Sequence, residues 1–269
     1  SVLQRRRIRW DGVILQRNRL ENKPVRRQRL DPCVKDTLQI LPVLELARDV
    51  PGVTGLACHS RGWAVAQNAV LPALSEPEAR RVAKLKNPEA RERLLVSLAS
   101  ARQMLGSLLD IRPSDVDLQR NAQGAPFLES HPEQYLSISR SDDWTAVALG
   151  DARPMGLDIE RLRSIDWQPM LGMVCSDDER AALVALADAT PDSGLAAFFA
   201  LWTIKEAVLK AVGKGLRGGA KGVPVQMGSL GCSGGSEQHV IFEQAEFVVH
   251  TEWHDELIVS LAVAANGGG

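Results

Sequence analysis

The chain has 269 residues, with 32 Lys+Arg against 33 Asp+Glu, 45% hydrophobic residues and 24% charged ones. This composition excludes bulk disorder, collagen-like repetition and burial in a membrane, and the length allows one large domain or two small ones that fold unaided. The net charge of −1 conceals an asymmetry, because residues 1–30 carry nine Arg and one Lys against two acids, a net of +8 that leaves −9 for residues 31–269.

Residues 1–50 mix arginine clusters with Pro24, Pro32 and Pro42 and show no sustained period, so they read as a poorly packed extension. The head has no apolar signal-peptide segment. No stretch reaches the roughly 20 apolar residues of a membrane helix. Cys33, Cys58, Cys175 and Cys232 lie far apart, without metal-ligand or disulfide-framework spacing, as expected of reduced thiols in a cytoplasmic protein.

Regular structure is expected from a short strand at Trp63–Ala66. Ser75 to Glu78 has the pattern of a capping box that opens a helix. Residues 89–109 place Leu94, Leu95, Leu98, Ala101, Leu105 and Leu108 at three- and four-residue spacing, which predicts a long amphipathic helix. Asp115–Gln119 alternates like a strand, Gln123–Pro126 is a turn, and short strands follow at Tyr135–Ser139, Trp144–Leu149 and Met155–Ile159. A second capping box, Ser176 to Glu179, opens another helix, and a long helix runs from about Leu195 to Val212 until Gly213-Lys214-Gly215 ends it. Residues 216–239 are glycine-rich and read as loop, before two closing strands at Glu243–Trp253 and Glu256–Ala264. The order helix, helix, strands occurs twice. It predicts an α+β fold of two similar halves in pseudo-twofold arrangement, residues 51–153 and 154–269.

Asp158 and Glu160 stand two residues apart on a strand, so both carboxylates leave the same face. Aligned carboxylates repel unless a cation lies between them, although an exposed polar strand edge explains the pair equally well. Trp202, Glu206 and Lys210 share one helix face at i, i+4 spacing. That pattern suits either a surface ion pair beside a core Trp or a third oxygen ligand with a cation next to it. Hard carboxylates favour magnesium over zinc.

Taken together, Gly124-Ala125-Pro126, Ser139-Arg140-Ser141, Gly156–Glu160, Trp202–Lys210 and Gly213–Gly215 resemble, in order and spacing, the motifs of the longer, two-halved 4′-phosphopantetheinyl transferases. The resemblance spans roughly residues 62–264. It implies Mg²⁺-dependent transfer of the phosphopantetheine arm of coenzyme A to a serine of an apo acyl, polyketide or peptidyl carrier protein, with Mn²⁺ as a substitute metal. It also implies a cytoplasmic monomer and no membrane or nucleic-acid partner. Asp158, Glu160 and Glu206 match the metal positions. Glu206 is the candidate general base, directly or through water, and Lys210 the group that stabilises the leaving bisphosphate. Lys205 matches a family lysine near the same phosphates. Gly124, Ala125, Pro126, Ser139, Arg140, Arg102 and Lys210 match coenzyme A positions. Arg102 is read either as reaching the 3′-phosphate or as a helix-surface arginine.

Two departures stand out. Arg140 replaces the usual histidine, keeping phosphate binding but not a titrating imidazole. Ala125 replaces the frequent lysine, with a modest effect on affinity expected. Two other classes compete: a non-catalytic binder of coenzyme A or carrier, and a nucleic-acid-associated protein using the basic head.

Overall fold

The computed structural model describes residues 43–59, 74–151, 153–214, 219–230 and 235–265. The strand expected at Trp63–Ala66 lies outside these residues, as do residues 1–42 and Gly215.

Strands β1 (Val43–Leu46) and β2 (Val53–His59) precede helices α1 (Glu76–Ala83) and α2 (Pro88–Leu109). A small hairpin, β3 (Leu118–Arg120) and β4 (Pro126–Leu128), leads to β5 (Tyr135–Ser141) and β6 (Trp144–Gly150). The second half runs β7 (Met155–Arg161), a short helical turn α3 (Leu171–Val174), α4 (Asp177–Ala189), α5 (Pro191–Ala211), β8 (Ser236–Phe242), β9 (Ala245–His254) and β10 (Leu257–Ala264). Two four-stranded antiparallel sheets result, in the orders β1-β2-β6-β5 and β7-β10-β9-β8.

The α+β class and the two halves are as expected, and each half opens on strand, β1 and β2 in one and β7 in the other. Regular structure also starts earlier than Trp63. Residues 43–50 do not belong to an extension: β1 pairs with β2, and Leu46, Ala47 and Val50 are buried. Four residues of alternation are too few to stand out beside the arginines and prolines before them. Residues 216–239 contain the start of β8, whose alternation of buried Gln238, Val240 and Phe242 with more exposed neighbours was masked by polar composition. The predicted strand at Asp115–Gln119 is shorter, since Pro113–Asp115 turns as a 3-10 helix before β3.

Strand alternation sets the layering. Ala146 and Ala148 of β6 and Ala57 of β2 pack face to face with Leu157, Ile159, Leu257, Val259 and Leu261 of the other sheet. The opposite faces carry the helices. Val147 and Leu149 meet Ala99, Met104 and Leu105 of α2, and Ile258 and Ala262 meet Phe198, Leu201, Ile204 and Val208 of α5. The order of layers is therefore helix, sheet, sheet, helix. Both capping boxes form as expected, with Ser75 paired to Glu78 and Ser176 to Glu179. Gly213, at φ +74°, ends α5 in the left-handed conformation.

Candidate active site

The facing edges of the two sheets are β5 and β7, and a cleft of about 760 Å³ opens at their ends. It is lined by Arg81 of α1, the first turns of α2, Ile138, Ser139 and Arg140 of β5, Asp158 and Glu160 of β7, and Trp202, Glu206 and Lys210 of α5. Trp202, Glu206 and Lys210 share a helix face as their spacing requires, and that face meets the carboxylate face of β7.

Gly156 makes this meeting possible. A Cβ there would lie 2.0 Å from the carbonyl oxygen of Ala207 and 2.5 Å from the amide nitrogen of Ala211, so helix backbone rests directly on strand backbone. Glu206 is thereby brought beside Asp158.

Asp158 and Glu206 are buried, and Asp158 Oδ2 and Glu206 Oε1 have no hydrogen-bond partner among the described residues. Lys210 Nζ donates to Asp158 Oδ1 at 2.7 Å, to Ser139 Oγ at 2.9 Å and to the Leu157 carbonyl at 2.9 Å. Glu160 Oε2 accepts from Ser141 Oγ at 2.6 Å and from Arg163 Nη1 at 2.9 Å. Burial, and after it the Asp158 carboxylate, pushes the Glu206 carboxyl up to about 7, with Lys210 opposing and Glu160 adding to the rise. Burial also raises Glu160, against the hydrogen bonds from Ser141 and Arg163.

The donor set fits a hard divalent cation. Among the described residues no three acidic, His or Cys side chains close into a preformed cage. Mg²⁺ needs no complete protein cage, because part of its octahedral shell is left to water and phosphate oxygens. Two buried carboxylate oxygens without a partner are what such an ion would satisfy.

A second charge cluster faces the carboxylates. Arg81 and Arg140 both line the cleft, and Arg120 of β3 lies close enough to repel them. Arg140 is exposed, and partial desolvation in the cleft, then Arg81 and Arg120, lowers it to about 10. Arg81 and Arg120 were not singled out from the sequence: their proximity joins residues 39 positions apart, and no local pattern signals it. Arg163 was missed for another reason, since it follows the strand and turns back by hydrogen bonds to Glu160 and the Arg161 carbonyl.

Several expected residues stand elsewhere. Lys205 does not line the cleft: fully buried, it donates to Glu179 Oε2 at 2.9 Å and to the carbonyls of Ala220 and Val223 at 3.0 and 2.6 Å. Arg102 is neither on the helix surface nor in the cleft. It is 2% exposed and bound to Glu78 and the Val116 carbonyl. The physical reason is common to both, since a cation on the buried side of a core helix must be paired within the protein. Gly124, Ala125 and Pro126 are not among the described residues lining the cleft. Asn121 Oδ1 accepts from the Gln123 and Ala125 amides to form the turn, Gly124 takes φ +87°, and Arg120 donates to the Gly124 carbonyl. Ser139 borders the cleft, but its hydroxyl is committed to Asp158, Ile159 and Lys210.

No helix among the described residues is long and apolar enough to cross a membrane. Residues 154–262 match the family model of the 4′-phosphopantetheinyl transferase superfamily. The chain is 34% identical over 115 residues to the 4′-phosphopantetheinyl transferase gsp of Aneurinibacillus migulanus, covering 43% of this chain and 46% of that one. It is 31% identical over 147 residues to HetI of Nostoc sp. strain PCC 7120, covering 53% and 61%, and 28% identical over 155 residues to Sfp of Bacillus subtilis strain 168, covering 53% and 67%. The chain thus spans about half to two thirds of the length of the curated relatives it matches. The matched segment contains Asp158, Glu160, Glu206 and Lys210, the groups that meet across Gly156, and over that segment the chain is similar to the 4′-phosphopantetheinyl transferase superfamily.

Proposed function

We propose that the protein transfers the 4′-phosphopantetheine arm of coenzyme A to a serine hydroxyl of an apo carrier protein and releases adenosine 3′,5′-bisphosphate. The observation that carries this function is the convergence of Asp158, Glu160, Glu206 and Lys210 on one cleft that also holds Arg81 and Arg140. Acid groups for a cation and arginines for phosphate suit a substrate that bears both a pyrophosphate and a phosphate monoester.

The reaction forms a bond from the serine oxygen to phosphorus and breaks the pyrophosphate bridge. Asp158, Glu160 and Glu206 would hold Mg²⁺, which would supply charge neutralisation at that pyrophosphate. Glu206 takes the proton of the serine hydroxyl, directly or through water, from its place beside Asp158 in the cleft. Lys210, already directed into the carboxylate cluster, holds positive charge where the bisphosphate departs. Arg140 and Arg81 hold the substrate's phosphate and fix its direction in the cleft, which reduces the search for in-line geometry.

Incubation with coenzyme A, Mg²⁺ and a panel of apo acyl, polyketide and peptidyl carriers tests this function. Intact mass spectrometry is expected to find a gain equal to the arm on at least one carrier. Absence of the gain on every carrier overturns it.

A further inference from the structure

The edge of β7 that does not pair with β10 presents its amides to β5, and three serines meet them in register. Ser137 Oγ accepts from the Leu157 amide at 2.9 Å, Ser139 Oγ from Ile159 at 3.3 Å and Ser141 Oγ from Arg161 at 3.0 Å. All three serines are buried, so these hydroxyls replace the missing strand partner of β7 and join the two sheets.

Each hydroxyl has one proton left to give, and the three give it differently. Ser137 has only the Leu157 carbonyl, at a long 3.5 Å. Ser139 donates to Asp158 Oδ1 at 2.7 Å, and Ser141 donates to Glu160 Oε2 at 2.6 Å. A cation then occupies the same oxygen in each case, Lys210 Nζ at 2.7 Å on Asp158 and Arg163 Nη1 at 2.9 Å on Glu160. The two carboxylates are therefore held alike, by a serine hydroxyl and a cation on one oxygen. On Asp158 the other oxygen is buried and has no partner among the described residues.

We infer that Ser139 and Ser141 are positioning residues of the cation site, each saturating one carboxylate oxygen so that Asp158 and Glu160 offer the metal a single, fixed oxygen. Ser137, which makes the same bond between the sheets but touches no carboxylate, has no part in it. This inference rests on the proposed metal role of Asp158 and Glu160. It extends that role to a hydroxyl pair set by the pleat of a strand in the other half of the molecule. A hydroxyl has no net charge, so its removal alters the aim of a carboxylate while the net charge of the site stays the same.

Mn²⁺ titration of the full chain, followed by electron paramagnetic resonance without coenzyme A or carrier, tests the inference on wild type, Ser137→Ala, Ser139→Ala, Ser141→Ala and Asp158→Asn. Metal-free thermal melts report the structural cost of each change. Loss of a hydrogen bond that orients a metal ligand costs about 10- to 100-fold in metal affinity. Ser139→Ala and Ser141→Ala are expected to weaken Mn²⁺ binding by about that factor. Ser137→Ala is expected to melt lower, as they do, but to bind like wild type. Binding by Ser139→Ala and Ser141→Ala within about twofold of wild type overturns the inference while leaving the metal role standing, and so does equal weakening by Ser137→Ala. If either variant fails to fold, the other serine gives the same reading against Ser137→Ala. Wild type that binds no Mn²⁺, or binds it unchanged in Asp158→Asn, overturns the metal role and the inference with it.

Discussion

Lys205 Nζ lies 2.9 Å from Glu179 Oε2, and Arg102 makes the same pairing with Glu78 in the other half, at 2.8 Å. In both halves the carboxylate is the last residue of a capping box, and the cation comes from the middle of the long helix that follows. Each cation also donates to a carbonyl in the loop beyond its helix, Val116 in one half and Ala220 and Val223 in the other. The pairs tie the short helix, the long helix and the following loop together, and the pseudo-twofold relation of the halves extends to these charges.

Lys205→Met leaves the buried Glu179 carboxylate without its cation, although the Ser176 and Val225 amides still donate to it. Breaking a buried pair from one side costs about 3–5 kcal/mol. Urea unfolding is expected to register a loss of that order, with Mn²⁺ binding by the folded protein unchanged. A variant of normal stability and weakened coenzyme A binding would instead place Lys205 at the phosphates.

Gly156→Ala drives a methyl into the Ala207 carbonyl and the Ala211 amide, both backbone atoms that cannot rotate away. Helix α5 must then lift from β7, carrying Glu206 and Lys210 with it. Overpacking of this kind costs about 1–3 kcal/mol or more. A lowered melting temperature and weaker Mn²⁺ binding together are the expected result, and unchanged metal binding would count against the close approach.

Glu206→Gln keeps the shape and removes the charge. Loss of the base alone is worth about 10²–10⁴-fold in turnover, so carrier modification is expected to fall by at least about 10²-fold. The metal-free protein is expected to melt no lower than wild type, because a charge buried beside Asp158 has been taken away. Turnover like that of wild type would remove Glu206 from both of its roles.

Arg140→Met removes the cation on β5 that lines the cleft. Hydrogen bonds to charged groups contribute about 1.5–3 kcal/mol. The KM for coenzyme A is therefore expected to rise about tenfold or more, with kcat little changed. Steady-state kinetics check this, and a fall in kcat at constant KM would place Arg140 at the reacting phosphorus instead.

Much of the architecture was legible along the chain because it is written in local patterns. The 3.6-residue period of α2, the two capping boxes, the glycine that ends α5 and the alternation of β5, β6 and β7 all appear where those patterns put them. Strands β1 and β8 were not legible. β1 is four residues long, and β8 follows a glycine-rich stretch and carries polar residues on a half-buried face, so neither rises above its neighbours. The carboxylates Asp158, Glu160 and Glu206, with Lys210, were legible through spacing and resemblance. The serines of β5 had a visible signal, a period of two on a buried strand, but a serine gives no hint of its partner.

Charge separates a basic head from an acidic body, and the sequence by itself determined that this body is an α+β chain of two halves with three carboxylates and a lysine in motifs that resemble those of the transferases. It also placed those groups correctly on a strand and a helix, because i, i+2 and i, i+4 neighbours are fixed by local backbone geometry. Which cations face the cleft was decided only by the tertiary structure. Lys205 and Arg102 turned inward to buried glutamates, while Arg81, Arg120 and Arg163 gathered around the site from positions with no motif. A side chain's charge is a property of the residue. Its partner depends on which faces pack together, and that is settled only when the two sheets and their helices close on one another.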